Sequence, residues 1–376
     1  MKGETPAQQS LFPLVVRPTT RTIANAVREG GAGALPSAER RADDARYQEV
    51  RCRSALNRVV GMPFEWTLNP YRGCTHGCHY CFARRYHTQF ELGAGDEFAS
   101  IILVKANFVE VLARELARPK WARDLVALGT ATDPYQPIEG QYRLSRQSLV
   151  ELAAARTPVG IVTKGPMIVR DIDVLQAVSA VARCTVYVSV PSVDEDAWRR
   201  MEPGTAHPYQ RLKAVRALTR AGIRAGVLMA PLVPGITTAR RGLDATLAAI
   251  AAHEAAFVGA NVLHLEGGTR DHFLAFLQRE YPRLVDGYAR LYANGAKRAP
   301  HAYTRAVHDA VTEARAAVGL SSREDADTRR VAPLASEEPR GGALRPPEHS
   351  ADESESEETE TLPEARDAGL WEIGLM

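Results

Sequence analysis

Six short runs of apolar, β-rich residues recur along the middle of the chain: FEWTL (64–68), DLVALGT (124–130), VGIVTK (159–164), TVYVSV (185–190), AGVLMA (225–230) and ANVLHLE (260–266). Between them lie stretches whose apolar residues return every three or four positions. FVEVLARELA (108–117) is one, and ARRGLDATLAAIAAHEAA (239–256) is another. RLKAVRALTRAG (211–222) sets Leu212, Val215 and Leu218 on one face and stops at Gly222. The short runs read as strands and the longer ones as amphipathic helices. Strands alternating with helices predict a parallel sheet covered on its outer face, and right-handed crossovers repeated six times curl such a sheet toward a barrel. Six units fall short of the usual eight, so the expectation is an α/β fold, a partial (β/α)6 TIM-type barrel. An open doubly wound sheet is the competing layout. In either, ligands sit at the carboxyl ends of the strands. Those ends collect polar groups and turns: Asn69, then GTATDPYQPIE, TKG, VSVPS, APLVPG and LEGG.

The rest of the chain reads differently. Residues 1–48 are rich in Gly, Pro, Arg and Ala with little periodicity, and are expected to be a flexible N-terminal segment. Residues 49–320 form the expected core barrel, with helices after residue 270 closing its open side. Residues 321–376 contain ADESESEETETLPEARD, with almost nothing to bury, and are expected to be an acidic disordered tail. Charge follows the same division. Residues 333–376 carry 12 acidic and 3 basic side chains, so a net charge of +2 overall leaves the body at +11. A basic body suits a phosphate-bearing partner, although lysines and arginines spread over a large surface give the same count. No run of eighteen apolar residues occurs, and the first residues lack the apolar stretch of a signal peptide. The expectation is a cytoplasmic protein with no membrane partner.

Of five cysteines, three fall inside GCTHGCHYC (73–81): Cys74, Cys78 and Cys81, spaced C-x3-C-x2-C. An odd total and such close spacing do not suit a disulfide framework, and clustered thiols in a reducing compartment bind metal or do chemistry. Gly73 and Gly77 let the backbone wrap closely around a bound group. One reading is a zinc site with His76, His79 or His87 as fourth ligand, although structural zinc usually joins two separated ligand pairs. Another is free thiols with only a packing role. The third is an iron–sulfur cluster, which takes thiolates and, with three ligands in one loop, keeps one iron open. Read without further help, the loop leaves open a zinc-stabilised nucleic-acid-binding module without catalysis.

The spacing, with Tyr80 just before the third cysteine and the loop directly after the first strand, resembles the signature of the radical S-adenosylmethionine (radical SAM) superfamily. NPYRGCTHGCHYCFARRYH, TDPYQPIE, TKG…VRDIDVL and RMEPGTAHPYQRLKAVRALTRAGI resemble the branch that holds spore photoproduct lyases and the DNA repair photolyase-like proteins, over roughly residues 60 to 265. The resemblance implies a 4Fe-4S cluster on Cys74, Cys78 and Cys81, whose open iron is chelated by S-adenosyl-L-methionine. One electron then cleaves that cofactor to methionine and a 5′-deoxyadenosyl radical. It further implies Tyr80 near the adenine, Thr132 and Asp133 beside the methionine moiety, and Lys164 and Ser189 reaching the carboxylate and ribose. A reducing donor such as flavodoxin or ferredoxin is implied as partner. The substrate is unidentified, with nucleic acid first, and a protein, peptide or small metabolite as the alternative.

Two departures stand out. The lyases carry a cysteine near the end of the second strand, where this chain has Thr130, and a tyrosine after the third cluster cysteine, where it has Phe82. The resemblance therefore implies radical chemistry without the lyases' own hydrogen relay. Cys184 is expected at the start of the fourth strand, at the wrong end of a barrel, as a buried small residue. Cys52 lies in a basic stretch without an assigned role. Asp133 and Glu139 share a stiff proline-bounded loop at a strand's carboxyl end, and a functional role is expected of it. Glu202 is expected to pair with Arg84 or Arg211. Arg72, His76, His79, Arg84, Arg85 and His87 either attract an anionic substrate or offset local charge and cap carbonyls. Glu266 ends the last strand, with cofactor-facing, substrate-facing and helix-capping roles all open.

Overall fold

The computed structural model describes residues 45–323. Most residues of the expected flexible N-terminal segment (1–48) and acidic tail (321–376) lie outside that range; where they overlap it, residues 46–48 belong to a strand and Ser322 bridges Val258, so the ordered body begins earlier and ends later than expected. Ten strands are present among the described residues: β1 (Arg46–Val50), β2 (Leu56–Arg58), β3 (Trp66–Leu68), β4 (Tyr71–Arg72), β5 (Ile101–Lys105), β6 (Val126–Leu128), β7 (Val159–Thr163), β8 (Cys184–Ser189), β9 (Arg224–Leu232) and β10 (Val258–Val262). Seven of them form one sheet in the order β10-β9-β8-β7-β6-β3-β2. Every pairing from β3 to β10 is parallel, and only the edge hairpin β2–β3 is antiparallel. The six apolar runs of the sequence are these six parallel strands, in sequential order as short crossovers require. β10 and β2 stand at the two free edges, so the barrel is partial.

The longer helices are α1 (Phe108–Leu116), α2 (Leu144–Ala154), α3 (Ile172–Val181), α4 (Pro208–Arg220), α5 (Arg240–Ala252), α6 (Gly267–Glu280) and α7 (His301–Ala317). α4 shows why the crossovers fold. Pro208 opens it, where a missing N–H costs nothing, and Leu212, Val215 and Leu218 are buried against the sheet. β6, β8 and most of β7 are buried on both faces, which a parallel sheet between helices and a filled interior requires. α7 packs on α5 and β10. α6 leaves the end of β10 and crosses to the cysteine loop, where Thr269 Oγ1 donates to the Cys81 carbonyl at 3.1 Å. The expected closing helices are thus α6 and its successors at the carboxyl end, while α7 extends the outer layer.

Two elements differ from the sequence reading. The last strand lies at 258–262 rather than 260–266, because after a final bond from the Leu263 N–H to the Leu232 carbonyl residues 264–266 leave the sheet. There Leu265 donates to the Lys297 carbonyl at 2.9 Å instead of continuing along β9. The second difference is a small sheet, β1-β5-β4, that the alternation of strands and helices gave no reason to expect. Its centre, IILVK (101–105), is buried throughout and sits under the cysteine loop.

Candidate active site

The cysteine loop leaves β3 through Asn69 and β4, and its shape is set by its own backbone. Gly73 has φ +75°, and a β-carbon there would lie 2.5 Å from the Ile101 carbonyl oxygen, so only glycine lets the loop seat on β5. Cys74 donates its N–H to the Phe98 carbonyl at 2.9 Å, and turns join Gly77 to Cys74 and Cys81 to Cys78. Arg84 is buried inside the loop. Its Nε donates to the Cys78 carbonyl at 3.0 Å, Nη2 to Gly77 at 2.7 Å, and Nη1 to Ala94 and Gly95 at 2.8 and 2.6 Å. His87 meets the carbonyls of Gly93 and Ile101. For these two basic residues carbonyl capping is the observed role. His79 instead stacks on Phe276 and pairs with His272 of α6, their ring nitrogens 2.9 Å apart.

The loop after β6 braces the cysteine loop from one side. Thr132 Oγ1 donates to the Gly73 carbonyl at 2.6 Å, and Gln136 accepts from the Thr75 N–H at 3.1 Å while donating to Gly73 and Thr132. Asp133 accepts from Thr163 Oγ1 and the Lys164 N–H, both at 2.6 Å, and from the Tyr135 N–H at 2.9 Å, with His76 Nδ1 at 3.2 Å. Three of its four acceptor positions are thereby filled by protein donors, and the His76 ring faces the carboxylate as an ion-pair contact. Burial pushes its pKa up, but His76 and these donors outweigh that and hold it at about 2. Glu139, at the far end of the same loop, is fully buried. It accepts from Tyr71 Oη, from the N–H groups of Ser145 and Arg146 at the start of α2, and from Arg170. That is a helix-capping and structural role.

The opposite wall holds a second polar network. Lys164 Nζ donates to Ser189 Oγ at 2.9 Å and lies 5.5 Å from the centre of the Tyr80 ring. Tyr80 Oη donates to Glu202, and Arg211 Nη2 pairs with Glu202 at 2.5 Å. Glu202 thus takes Arg211, one of the two expected partners, while Arg84 is committed to carbonyls. Burial opposes ionisation of Glu202, yet Arg211, Lys164 and Tyr80 hold its pKa below the ordinary value. Glu266 binds Arg85 at 2.5 Å and Lys297 at 2.8 Å and lies 3.3 Å from His264, so it organises the rim beside α6.

Between these walls lies one cleft at the carboxyl ends of the strands, enclosing about 1100 Å³ of space that includes its open mouth. Cys74, Cys78 and Cys81 line it, and so do Tyr80, Thr132, Asp133, Lys164 and Ser189. Residues spread over 116 positions of sequence therefore share one surface. Thr130 and Phe82 line it as well, and Asn69 joins the first two strand ends by donating to Thr130 Oγ1 and accepting from the Ala131 N–H. Asn261 and His264 complete the wall at β10. The sequence reading passed over both. Both lie within the ANVLHLE run, but the cleft is lined there by consecutive residues, 261–264, after a register shift between Ala260 and Val262, so period-two alternation does not mark them.

Burial raises the pKa of all three loop thiols, that of Cys78 to about 12 despite the opposing pull of Lys164. Such thiols stay protonated until a metal displaces the proton. Among the described residues, no three His, Cys, Asp or Glu side chains converge closely enough to hold a single metal ion. Three thiols on one loop, all lining one cleft, are a donor set that suits a metal–sulfur group. No helix among the described residues is long and apolar enough to cross a membrane.

Comparison with known proteins meets this geometry. The model of the radical SAM superfamily matches residues 68–245. An uncharacterised protein of Mycobacterium tuberculosis is 40% identical over 276 residues, covering 70% of this chain and 81% of that protein. The radical SAM Nalpha-GlyT isomerase of Pseudomonas phage M6 is 24% identical over 170 residues, covering 45% and 33%. A solved structure of a mutant spore photoproduct lyase with bound AdoMet and dinucleoside spore photoproduct shares the fold, with a TM-score of 0.55 and 15% identity over 72% of this chain and 79% of that one. The chain belongs to the radical SAM superfamily and is an enzyme of that class, with a fold like that of spore photoproduct lyase.

Proposed function

We propose that Cys74, Cys78 and Cys81 hold a 4Fe-4S cluster and that the cleft beside them binds S-adenosyl-L-methionine. The observation that carries this reading is the convergence of the three thiols with Lys164, Ser189 and Tyr80 on one cleft. When bound, the cluster would supply the electron that splits the cofactor and releases a 5′-deoxyadenosyl radical. The chain's own residues do the rest. Lys164 offers an ammonium for a carboxylate, and Ser189 a hydroxyl for a ribose. Tyr80 forms the aromatic wall between them and the loop. Thr132 and Asp133 act through the cysteine loop they brace, since their polar atoms are already engaged. A mononuclear zinc module finds less support, because it needs neither a six-stranded barrel nor a polar cleft.

For the substrate we favour a nucleic acid. The bound dinucleoside in the structurally similar lyase supports it, as does the net positive body. Thr130 and Phe82 replace the groups that the lyase branch uses to return a hydrogen atom, so the reaction differs from lesion reversal by that relay.

The test is anaerobic reconstitution with iron and sulfide, addition of S-adenosylmethionine and dithionite, and chromatography for 5′-deoxyadenosine. Formation of 5′-deoxyadenosine that disappears in Cys78→Ala is expected, and oligonucleotides should raise it. Bound zinc in place of iron and sulfide would refute the reading. A rate indifferent to every oligonucleotide tried, but raised by a peptide or metabolite, would move the substrate class.

A further inference from the structure

The segment Met201–Thr205 lines no part of the cleft, yet it is docked on the cysteine loop along its whole length. His79 donates its backbone N–H to the Met201 carbonyl at 3.0 Å, and Gly204 donates to the His76 carbonyl at 3.1 Å. Tyr80 Oη donates to Glu202. Gly204 approaches so closely that a β-carbon there would meet the Thr75 carbonyl oxygen at 2.1 Å. The turn itself is fixed from behind. Thr205 Oγ1 donates to the Glu202 carbonyl at 2.9 Å and accepts from Trp198 Nε1 at 2.9 Å. Arg211 binds both Glu202 and the Ser189 carbonyl, the latter at 2.8 Å, which joins the turn to the end of β8.

We propose that Met201–Thr205 is a clamp that brackets Cys78, with Glu202 and Gly204 as positioning residues: Gly204 holds the chain just before it at His76, and Met201 and Glu202 hold it just after at His79 and Tyr80. The half of the loop carrying Cys74 is already held by Phe98, Thr132 and Gln136. The other half spans residues 77–81, and apart from Arg84 its fixed partners outside the loop come from this turn and from α6. Ligands held rigid before a metal group arrives lose less entropy on binding it, so the clamp sets how readily the loop accepts and keeps one. Through Arg211 it also ties the loop to the strand end that carries Ser189. This consequence rests on the cluster reading, whereas the clamp itself rests on geometry alone.

The test uses the full chain before and after reconstitution. Alkylation of each cysteine by iodoacetamide is followed by mass spectrometry, with Cys184 as an internal control for global unfolding. Gly204→Ala should speed labelling of Cys78 by about tenfold, and Tyr80→Phe by about threefold, as expected for one or two lost local hydrogen bonds. The Cys184 rate should not move. After reconstitution the same variants should lose iron to a chelator faster in the same order. An unchanged rate at Cys78, or a rise shared equally by Cys184, would overturn the clamp. Should Gly204→Ala fail to fold, Tyr80→Phe decides, since it leaves the Glu202–Arg211 pair in place. A wild-type chain that takes up no iron would sink the cluster reading, with the clamp still judged by the labelling rates.

Discussion

The two ends of the barrel are built from the same six strands and both bury thiols, yet only one end is prepared for chemistry. At the amino end, Cys184 begins β8 in register with Val159, inside the parallel ladder. Burial raises its pKa to about 12, as it does for Cys78. The difference lies in what surrounds the sulfur. Cys184 packs in the main hydrophobic core between the sheet and its helices, with Ser179 of α3 beside it, while a separate cluster of Tyr187, Leu228 and Phe257 is finished by arginines. Arg224 lies 4.9 Å from the Phe257 ring centre and Arg323 4.5 Å from that of Tyr187. The carboxyl end has left-handed glycines, a loop braced from two sides, and buried charges held by ion pairs or by backbone carbonyls. Burial by itself therefore does not distinguish a ligand thiol from a packing thiol. Preorganised backbone and neighbouring charge do.

The largest effect that would break this comparison is loss of iron. Cys74→Ala, Cys78→Ala and Cys81→Ala should each abolish cluster uptake on iron analysis, while Cys184→Ala keeps the wild-type amount; retained iron in any of the first three would contradict the contrast. Next comes Arg84→Met, which leaves the Cys78, Gly77, Ala94 and Gly95 carbonyls without their donor in a buried site. We expect a loss of about 3 kcal/mol in urea unfolding together with poor iron retention. Asp133 sharpens the comparison through pH. Its folded pKa, about 2, lies below the ordinary 3.8. The stability it contributes is therefore fully present above about pH 4 and is lost as pH falls toward 2. The shift corresponds to about 2 kcal/mol, and Asp133→Asn should show a stability profile flatter by that amount between pH 5 and pH 2. The smallest effect should fall at the amino end, where Cys184→Ala costs about 1 kcal/mol and leaves 5′-deoxyadenosine formation unchanged.

The legible parts of the molecule were those with local signals. All six parallel strands, and helices α1, α4 and α5, followed from period and length, and the cysteine spacing marked the loop without any tertiary knowledge. The small sheet β1-β5-β4 did not emerge, because IILVK has no periodicity to separate a strand from a buried helix turn. Asn261 and His264 were missed for a related reason: the last strand yields early to a pairing with residues 297 and 298, a contact made across more than thirty residues of sequence. Asp133 and Thr132 were legible as members of the site but not in their manner of acting. Whether a carboxylate faces a ligand or is taken up by protein donors depends on the register of neighbouring strand ends.

By itself the sequence determined the class of fold, the end of the barrel where the cleft lies and the three thiols that line it. Those features depend on hydrophobic period and on spacings of a few residues. Only the tertiary structure decided that Glu202 and Arg211 reach back to Tyr80 and Ser189, and that Gly204 presses on the loop. It also decided that Arg84 and His87 serve carbonyls rather than a substrate. The physical reason is that a buried polar group must find partners wherever the packed chain supplies them, and that supply is a property of the whole fold.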